Sequence, residues 1–265
     1  MKREGRPSEA SILNSRVSDR PIRPMFPKNT RTDTQIISTI MSSSGLSDFG
    51  WYGVTGASLS VMLAGVKEFE GPVAGVRIAS DESGNFIFDP TFAELENAHL
   101  DLTVAGTLDA ITMVESQGSE VSNDLMVKAF EYAHGIIKDL CNAQKDFLAE
   151  YTRIHALPAT EITVVDTDPE VIEKVKNIIT EDEIKALYNL GKLEFHDAMH
   201  DLVEVTAEKL GYDEDTNTPK MGDIADSVKK VVSNHMRNTV LTTRTRLDGR
   251  RVDEVRPVRA TAPIL

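Results

Sequence analysis

Arginine crowds both ends of this chain. Residues 1–31 hold eight Lys or Arg against three acids, a balance of +5. Residues 241–265 hold Arg244, Arg246, Arg250, Arg251, Arg256 and Arg259 against Asp248, Asp253 and Glu254, a balance of +3. The whole chain carries −13, which leaves −21 on residues 32–240. A uniformly acidic protein repels a polyanion, whereas cations gathered at the ends can converge on a phosphate-bearing partner. Arg16 and Arg20 are four apart and share a helix face. Their planar forks grip two oxygens of a phosphate at once, which a lysine does not do. The competing reading pairs them with Asp19 or Glu9 on a solvated surface, where most arginines do nothing specific.

Other chemical signals are weak. His196 and His200 are four apart, as metal ligands on a helix can be, but the run His-Asp-Ala-Met-His lacks the Glu of zinc proteases and offers no third ligand. No metal site is expected there. No Gly-x-x-x-x-Gly-Lys loop and no Gly-x-Ser-x-Gly elbow occurs. The single cysteine, Cys141, excludes an internal disulfide. Asp248 and Asp253 are expected to shape an Asp-Gly turn and pair with nearby arginines.

The elements that must position these residues fall into two textures. Ser8 is placed to cap a helix with Glu9 in its first turn, carrying Ile12, Leu13 and Val17 on one side and Arg16, Arg20 and Arg23 on another. Pro21 and Pro24 are expected to end it. Thr34 to Met41 is rich in β-branched residues and predicts a strand. Gly56 to Val66 predicts a closely packed helix. Val73 to Ile78 with Asn85 to Phe88, and Leu100 to Ala105 with Ala110 to Val114, predict two hairpins. Past Ser122 the spacing turns helical: Leu125 to Leu140, Val171 to Ile179, Phe195 to Leu210 closed by Gly211, and Asp223 to Thr239. Leu247 to Arg250 predicts a turn, and Val255 to Ala260 the start of a strand. The fold class is therefore α+β followed by an all-α helical domain.

At 265 residues and 40% hydrophobic content the chain builds real cores. No apolar run reaches the ~20 residues of a membrane span, and the charged first residues lead into no signal-peptide core, so a cytoplasmic address and no membrane partner are expected. The charged start and the uncapped apolar end, Ala262-Pro263-Ile264-Leu265, suggest a piece of a longer polypeptide.

The run Lys2-Arg3-Glu4-Gly5-Arg6-Pro7-Ser8-Glu9, then Arg16, Asp19-Arg20-Pro21-Ile22-Arg23-Pro24 and Phe26-Pro27, closely resembles the bacterial polynucleotide phosphorylase family. Gly56-Ala57-Ser58, Gly71-Pro72-Val73, Asp101 to Thr107, Met113 to Ser116 and Arg246 to Arg250 with Asp253 to Pro257 extend the resemblance over the chain. It implies the later part of a first ribonuclease PH-like core at 1–140, a helical linker domain at 145–240, and the opening of a second core at 241–265. It implies 3′-to-5′ phosphorolysis of RNA, in which inorganic phosphate releases nucleoside diphosphates, reversibly. It further implies a homotrimer, an RNA-degradation complex, and Mg2+ for the whole protein, with metal ligands and catalytic residues beyond residue 265. The residues it points to as RNA or phosphate ligands are Lys2, Arg3, Arg6, Arg16, Arg20 and Arg23. Lys2 and Arg3 correspond to a channel-lining loop that usually carries two aromatics before them; Met1 stands at the second of those positions.

Overall fold

The computed structural model describes residues 5–261, which form two compact units dividing at Val165/Asp166. In the first, Ala74–Ser80 (β1), Phe86–Phe88 (β2), Leu100–Gly106 (β3) and Ile111–Gly118 (β4) make an antiparallel sheet in the order β2-β1-β3-β4. Both predicted hairpins are present. Strand alternation sorts the side chains: Ala74, Val76, Ile78, Leu100, Leu102 and Val104 lie wholly out of water on one face. That face is covered by Asn123–Ile154 (α4), which contributes Ala129, Ala133, Ile137 and Cys141. The small residues of this stripe let the helix approach the sheet closely. Gln144, also buried, donates Nε2 to the Val73 carbonyl at 3.0 Å.

Glu9–Ile22 (α1) and Tyr52–Leu63 (α2) pack with Val73, Ala105 and Met113 through Val17, Ile22, Val54, Ala57 and Val61. Gly75 is required here: a Cβ would stand 2.8 Å from the Trp51 carbonyl oxygen and 3.0 Å from the Val54 side chain. Two α2 hydroxyls tie the helix to β1, Ser58 Oγ accepting from the Val73 amide at 2.8 Å and Thr55 Oγ1 from that of Gly75 at 3.3 Å.

Three expectations fail. Thr34 to Met41 forms no strand; residues 31–46 are exposed throughout, and no described segment offers them a ladder of hydrogen bonds. Pro21 does not end α1 but lies inside it, and a 3₁₀ turn, Arg23–Met25, carries Pro24. Burial of the Pro21 ring against the core compensates for its missing amide. Val255 to Ala260 has no strand structure, again for want of a neighbour among the described residues.

In the second unit, Pro169–Ile178 (α5), Glu181–Lys185 (α6), Lys192–Leu210 (α7) and Met221–Thr243 (α8) surround Val175, Ile184, Leu202, Ile224, Val228 and Val232. Gly211 closes α7 as expected, at φ +71°, with its amide donating to the Ala207 and Glu208 carbonyls. The short α6 and Phe92–Leu95 (α3), in the first unit, escaped the periodicity because neither spans two helical turns.

Candidate nucleic-acid and phosphate interface

The first-turn geometry of α1 follows from its sequence. Ser8 accepts the Ser11 amide at 3.2 Å, and Glu9 faces the positive end of the helix dipole. Beyond that turn the arginines part company. Arg20 donates to Glu115 Oε1 of β4 at 3.0 Å, both side chains about half exposed. Arg23 pairs with Asp19 one turn back. Arg16 is exposed beside a shallow hollow of about 350 Å³ that Pro7, Ser11, Ile12, Ser15 and Asp19 also line. No carboxylate lies within ion-pair distance of Arg16 or Arg6 among the described residues. Lys2 and Arg3 fall outside those residues. Ile12 and Leu13 are half exposed, so the inward face of α1 rests on Val17 and Ile22.

The sheet face opposite α4 is polar where α1 crosses it. Period-two alternation places Arg77, Asp101, Thr103, Glu115 and Gln117 on that face. There they line a cleft of about 280 Å³ with Asp48, Trp51 and Asn14. Arg77 is its centre. Nε and one terminal nitrogen hold Asp101 at 2.9 and 2.7 Å, and the other terminal nitrogen holds Asp48 at 2.8 Å. The Asp101 hydrogen bond, ahead of the Coulombic pull of both carboxylates, raises the guanidinium pKa despite opposing desolvation. Nearby, Tyr52 donates to Asp89 Oδ2 at 2.8 Å. Its phenol is pushed up to about 12, first by burial and then by that bond and charge.

This arrangement holds loops to a sheet; it does not grip phosphate. Three acids, Asp48, Asp101 and Glu115, line the cleft, and the partly buried Arg77 fork is claimed by two of them. An entering anion would displace a carboxylate from Arg77 and leave it unpaired. Sequence reading passed over this triad. The available signal was an arginine at the centre of Gly75-Val76-Arg77-Ile78-Ala79, where every neighbour is small or apolar.

No described group suits a magnesium ion. The described His, Cys, Asp and Glu side chains close enough to share an ion are His200, Asp201 and Glu204, all exposed on α7. An imidazole and two solvated carboxylates on one helix are a poor match to a hard, oxygen-preferring octahedral cation. At the other end of the chain Asp248 pairs with Arg250 at 2.9 Å and Asp253 with Arg251 at 3.1 Å, as the turn reading expected.

Three family models match in order along the chain. Residues 1–67 match the 3′ exoribonuclease family, domain 1; residues 71–136 match domain 2 of the same family; residues 170–251 match the polyribonucleotide nucleotidyltransferase RNA binding domain. Proteins named polyribonucleotide nucleotidyltransferase are similar across the whole span. That of Bacillus subtilis is 35% identical over 265 residues, covering 100% of this chain and 37% of the relative. That of Halalkalibacterium halodurans is 34% identical, covering 100% and 36%. The Thermotoga maritima protein is 36% identical, covering 97% and 36%. Domain by domain, this chain matches the 3′ exoribonuclease and polyribonucleotide nucleotidyltransferase families. It spans little more than a third of the length of these relatives. These matches agree with the α+β unit followed by a helical one. Among solved structures, rice (Oryza sativa) Rrp46 aligns with a TM-score of 0.42 at 12% identity, covering 55% of this chain and 67% of that one. No described helix is long and apolar enough to cross a membrane.

Proposed function

We propose that this chain is part of a 3′-to-5′ phosphorolytic exoribonuclease, with inorganic phosphate attacking the terminal phosphodiester of RNA and nucleoside diphosphate leaving, reversibly. The observation that carries the reading is the ordered match of both 3′ exoribonuclease domains and the polyribonucleotide nucleotidyltransferase RNA binding domain along one chain. The division into 1–140, 145–240 and 241–265, the homotrimer, the RNA-degradation complex, the cytoplasmic address and the Mg2+ requirement belong to the same proposal, and concern the whole protein.

Phosphorolysis brings two anions together. Arginine forks offset their repulsion and stabilise the charge of the transition state. Arg16 is the α1 side chain best placed for that work, because it is exposed and, unlike Arg20 and Arg23, no described carboxylate claims it. Arg20 joins it only by releasing Glu115, an exchange open to a half-exposed pair. Arg6 and Arg23 contact the RNA backbone in this reading, with Lys2 and Arg3 ahead of them. In this reading the chemistry itself belongs to residues outside these 265, as the family resemblance implies. Purified residues 1–265, given poly(A), inorganic phosphate and Mg2+, are expected to release no nucleoside diphosphate, while the same polypeptide extended to its relatives' full length releases it. Release by the 265 residues alone overturns the assignment of chemistry elsewhere; silence of the extended protein overturns the proposed activity.

A further inference from the structure

Spacing alone offers His196 and His200 as donors to a metal ion and leaves the set incomplete. The fold supplies the missing donors. On α7 the ligand atoms of His200, Asp201 and Glu204 all lie within 4.8 Å of one another. His200 Nδ1 stands 3.5 Å from Glu204 Oε1. That is long for a charge-assisted hydrogen bond, which closes to about 2.7–2.9 Å. It suits two donors on one ion, because bonds of about 2.1 Å at a tetrahedral angle set their donors about 3.4 Å apart. At about 100° per residue, His196 falls to one side of the His200–Glu204 pair and Asp201 to the other.

These donors have no stronger claim on them. Among the described residues no Lys or Arg comes within ion-pair distance of Asp201 or Glu204, and Lys209, in the last turn of α7, is drawn to Glu183 at 2.9 Å. His196 Nδ1 makes a loose contact with Asp197 Oδ1 at 3.8 Å. Residues 166–240 hold seventeen acids against nine Lys or Arg, so the surrounding field favours a cation. All four donor residues are exposed, yet the helix beneath them is anchored. Leu202, Thr206 and Ala207 bury its inward face, Glu194 accepts the Gly191 amide at 2.9 Å at one end, and Gly211 closes the other. Backbone ordered in this way loses little freedom when a ligand arrives. The donor types select the metal: imidazole suits zinc, copper and nickel, whereas magnesium keeps its waters and asks for oxygen.

We propose that His200 and Glu204, with His196 and Asp201 beside them, form a surface site for a divalent transition metal, Zn2+ foremost. The ion ties successive turns of α7 together and offsets charge on the acidic unit. The site is separate from the Mg2+ chemistry of the proposed exoribonuclease, and neither reading depends on the other. Its test is calorimetric titration of the 265-residue chain, stripped of metal by a chelator and dialysed, with zinc chloride. One ion per chain is expected, and His200→Ala and Glu204→Gln are each expected to weaken binding at least about tenfold. Adding His196→Ala and Asp201→Asn to that pair abolishes it. His155→Ala, at an exposed histidine of the other unit, leaves it unchanged. Mg2+ at about a hundredfold excess does not displace the zinc. In hydrogen exchange, zinc slows the α7 amides of the parent and not those of the fourfold variant. Circular dichroism confirms that each variant keeps its helicity, as substitutions at exposed helix positions allow. A parent chain that takes up no zinc overturns the site. So does a fourfold variant that binds as the parent does, and so does ready displacement by Mg2+, which reduces the surface to a diffuse field of carboxylates.

Discussion

The two units of this chain are held together by different physics. The sheet unit depends on exclusion of water: Val76, Ile78, Leu100, Leu102 and Val104 have no exposed surface, and the partly buried Arg77 is locked between two acids. The helical unit also has a dry centre but no sheet; its helix ends are capped, as Ser8 and Thr91 cap helices of the first unit, and an ion pair joins two of its helices. Thr180 and Glu183 cap α6 reciprocally, Glu194 accepts the Gly191 amide at 2.9 Å, and Lys209 of α7 reaches Glu183 at 2.9 Å. The contrast teaches where each unit is vulnerable. A lost methyl group damages the first, whereas an added proton or added salt acts mainly on the second.

The largest expected effect is therefore a cavity in the sheet. Leu102→Ala should cost about 3–4 kcal/mol, while Ile37→Ala should change stability by less than about 0.5 kcal/mol. Trp51, the single tryptophan, is 3% exposed and lies in the sheet unit, so its fluorescence in a urea titration reads that unit directly. Equal losses from the two substitutions would mean that residues 34–41 are packed after all.

That pairing also marks how far the sequence could be read. Residues 74–80 and 34–41 are both rich in β-branched or small apolar residues, yet one is a central strand and the other an exposed run with Ile37 76% and Met41 89% accessible. Propensity reports fitness for a pleated, half-buried surface; it does not supply the neighbouring strand. Both hairpins were legible because each brings its own partner within a few residues. The long helices were legible from their period, and Ser8 and Gly211 from cap chemistry. The candidate site was less so. Spacing put Arg16 and Arg20 on one helix, but Arg20's partner, Glu115, is 95 residues away and arrives only through the sheet. Asp48, Arg77 and Asp101 were illegible for the same reason: their meeting depends on strand register and on a loop that no local pattern encodes.

The second effect breaks the ionic group. Arg77→Met leaves Asp48 and Asp101 facing each other in the cleft, and should cost about 2 kcal/mol, below the 3–5 typical of a wholly buried pair because these groups retain some solvent. Adding Asp101→Asn should recover part of that loss, since it removes one of the stranded charges. A double variant as unstable as the sum of the two single ones, again by Trp51 fluorescence, would show that the three groups are not coupled.

The smallest effect belongs to the helical unit and tests the comparison from its other side. The Thr180 amide, ahead of Lys209 and the Thr180 hydroxyl, holds the Glu183 carboxyl down to about 2. A depressed carboxyl contributes stability that is present above its ordinary value near 4.5 and is lost as pH falls through the folded value. Glu183 keeps about a third of its side chain in water, so screening reduces the effect to about 0.5 kcal/mol at neutral pH. Glu183→Gln should thus melt slightly below the parent at pH 7, and the gap should close between pH 5 and pH 2. Hydrogen exchange of the α6 and α7 amides localises the difference to this unit, and moderate salt should shrink it, whereas the loss from Leu102→Ala should hold at every salt concentration. A gap that persists at pH 2 would assign the Glu183 contribution to packing rather than charge, and the two units would then share one mode of stabilisation.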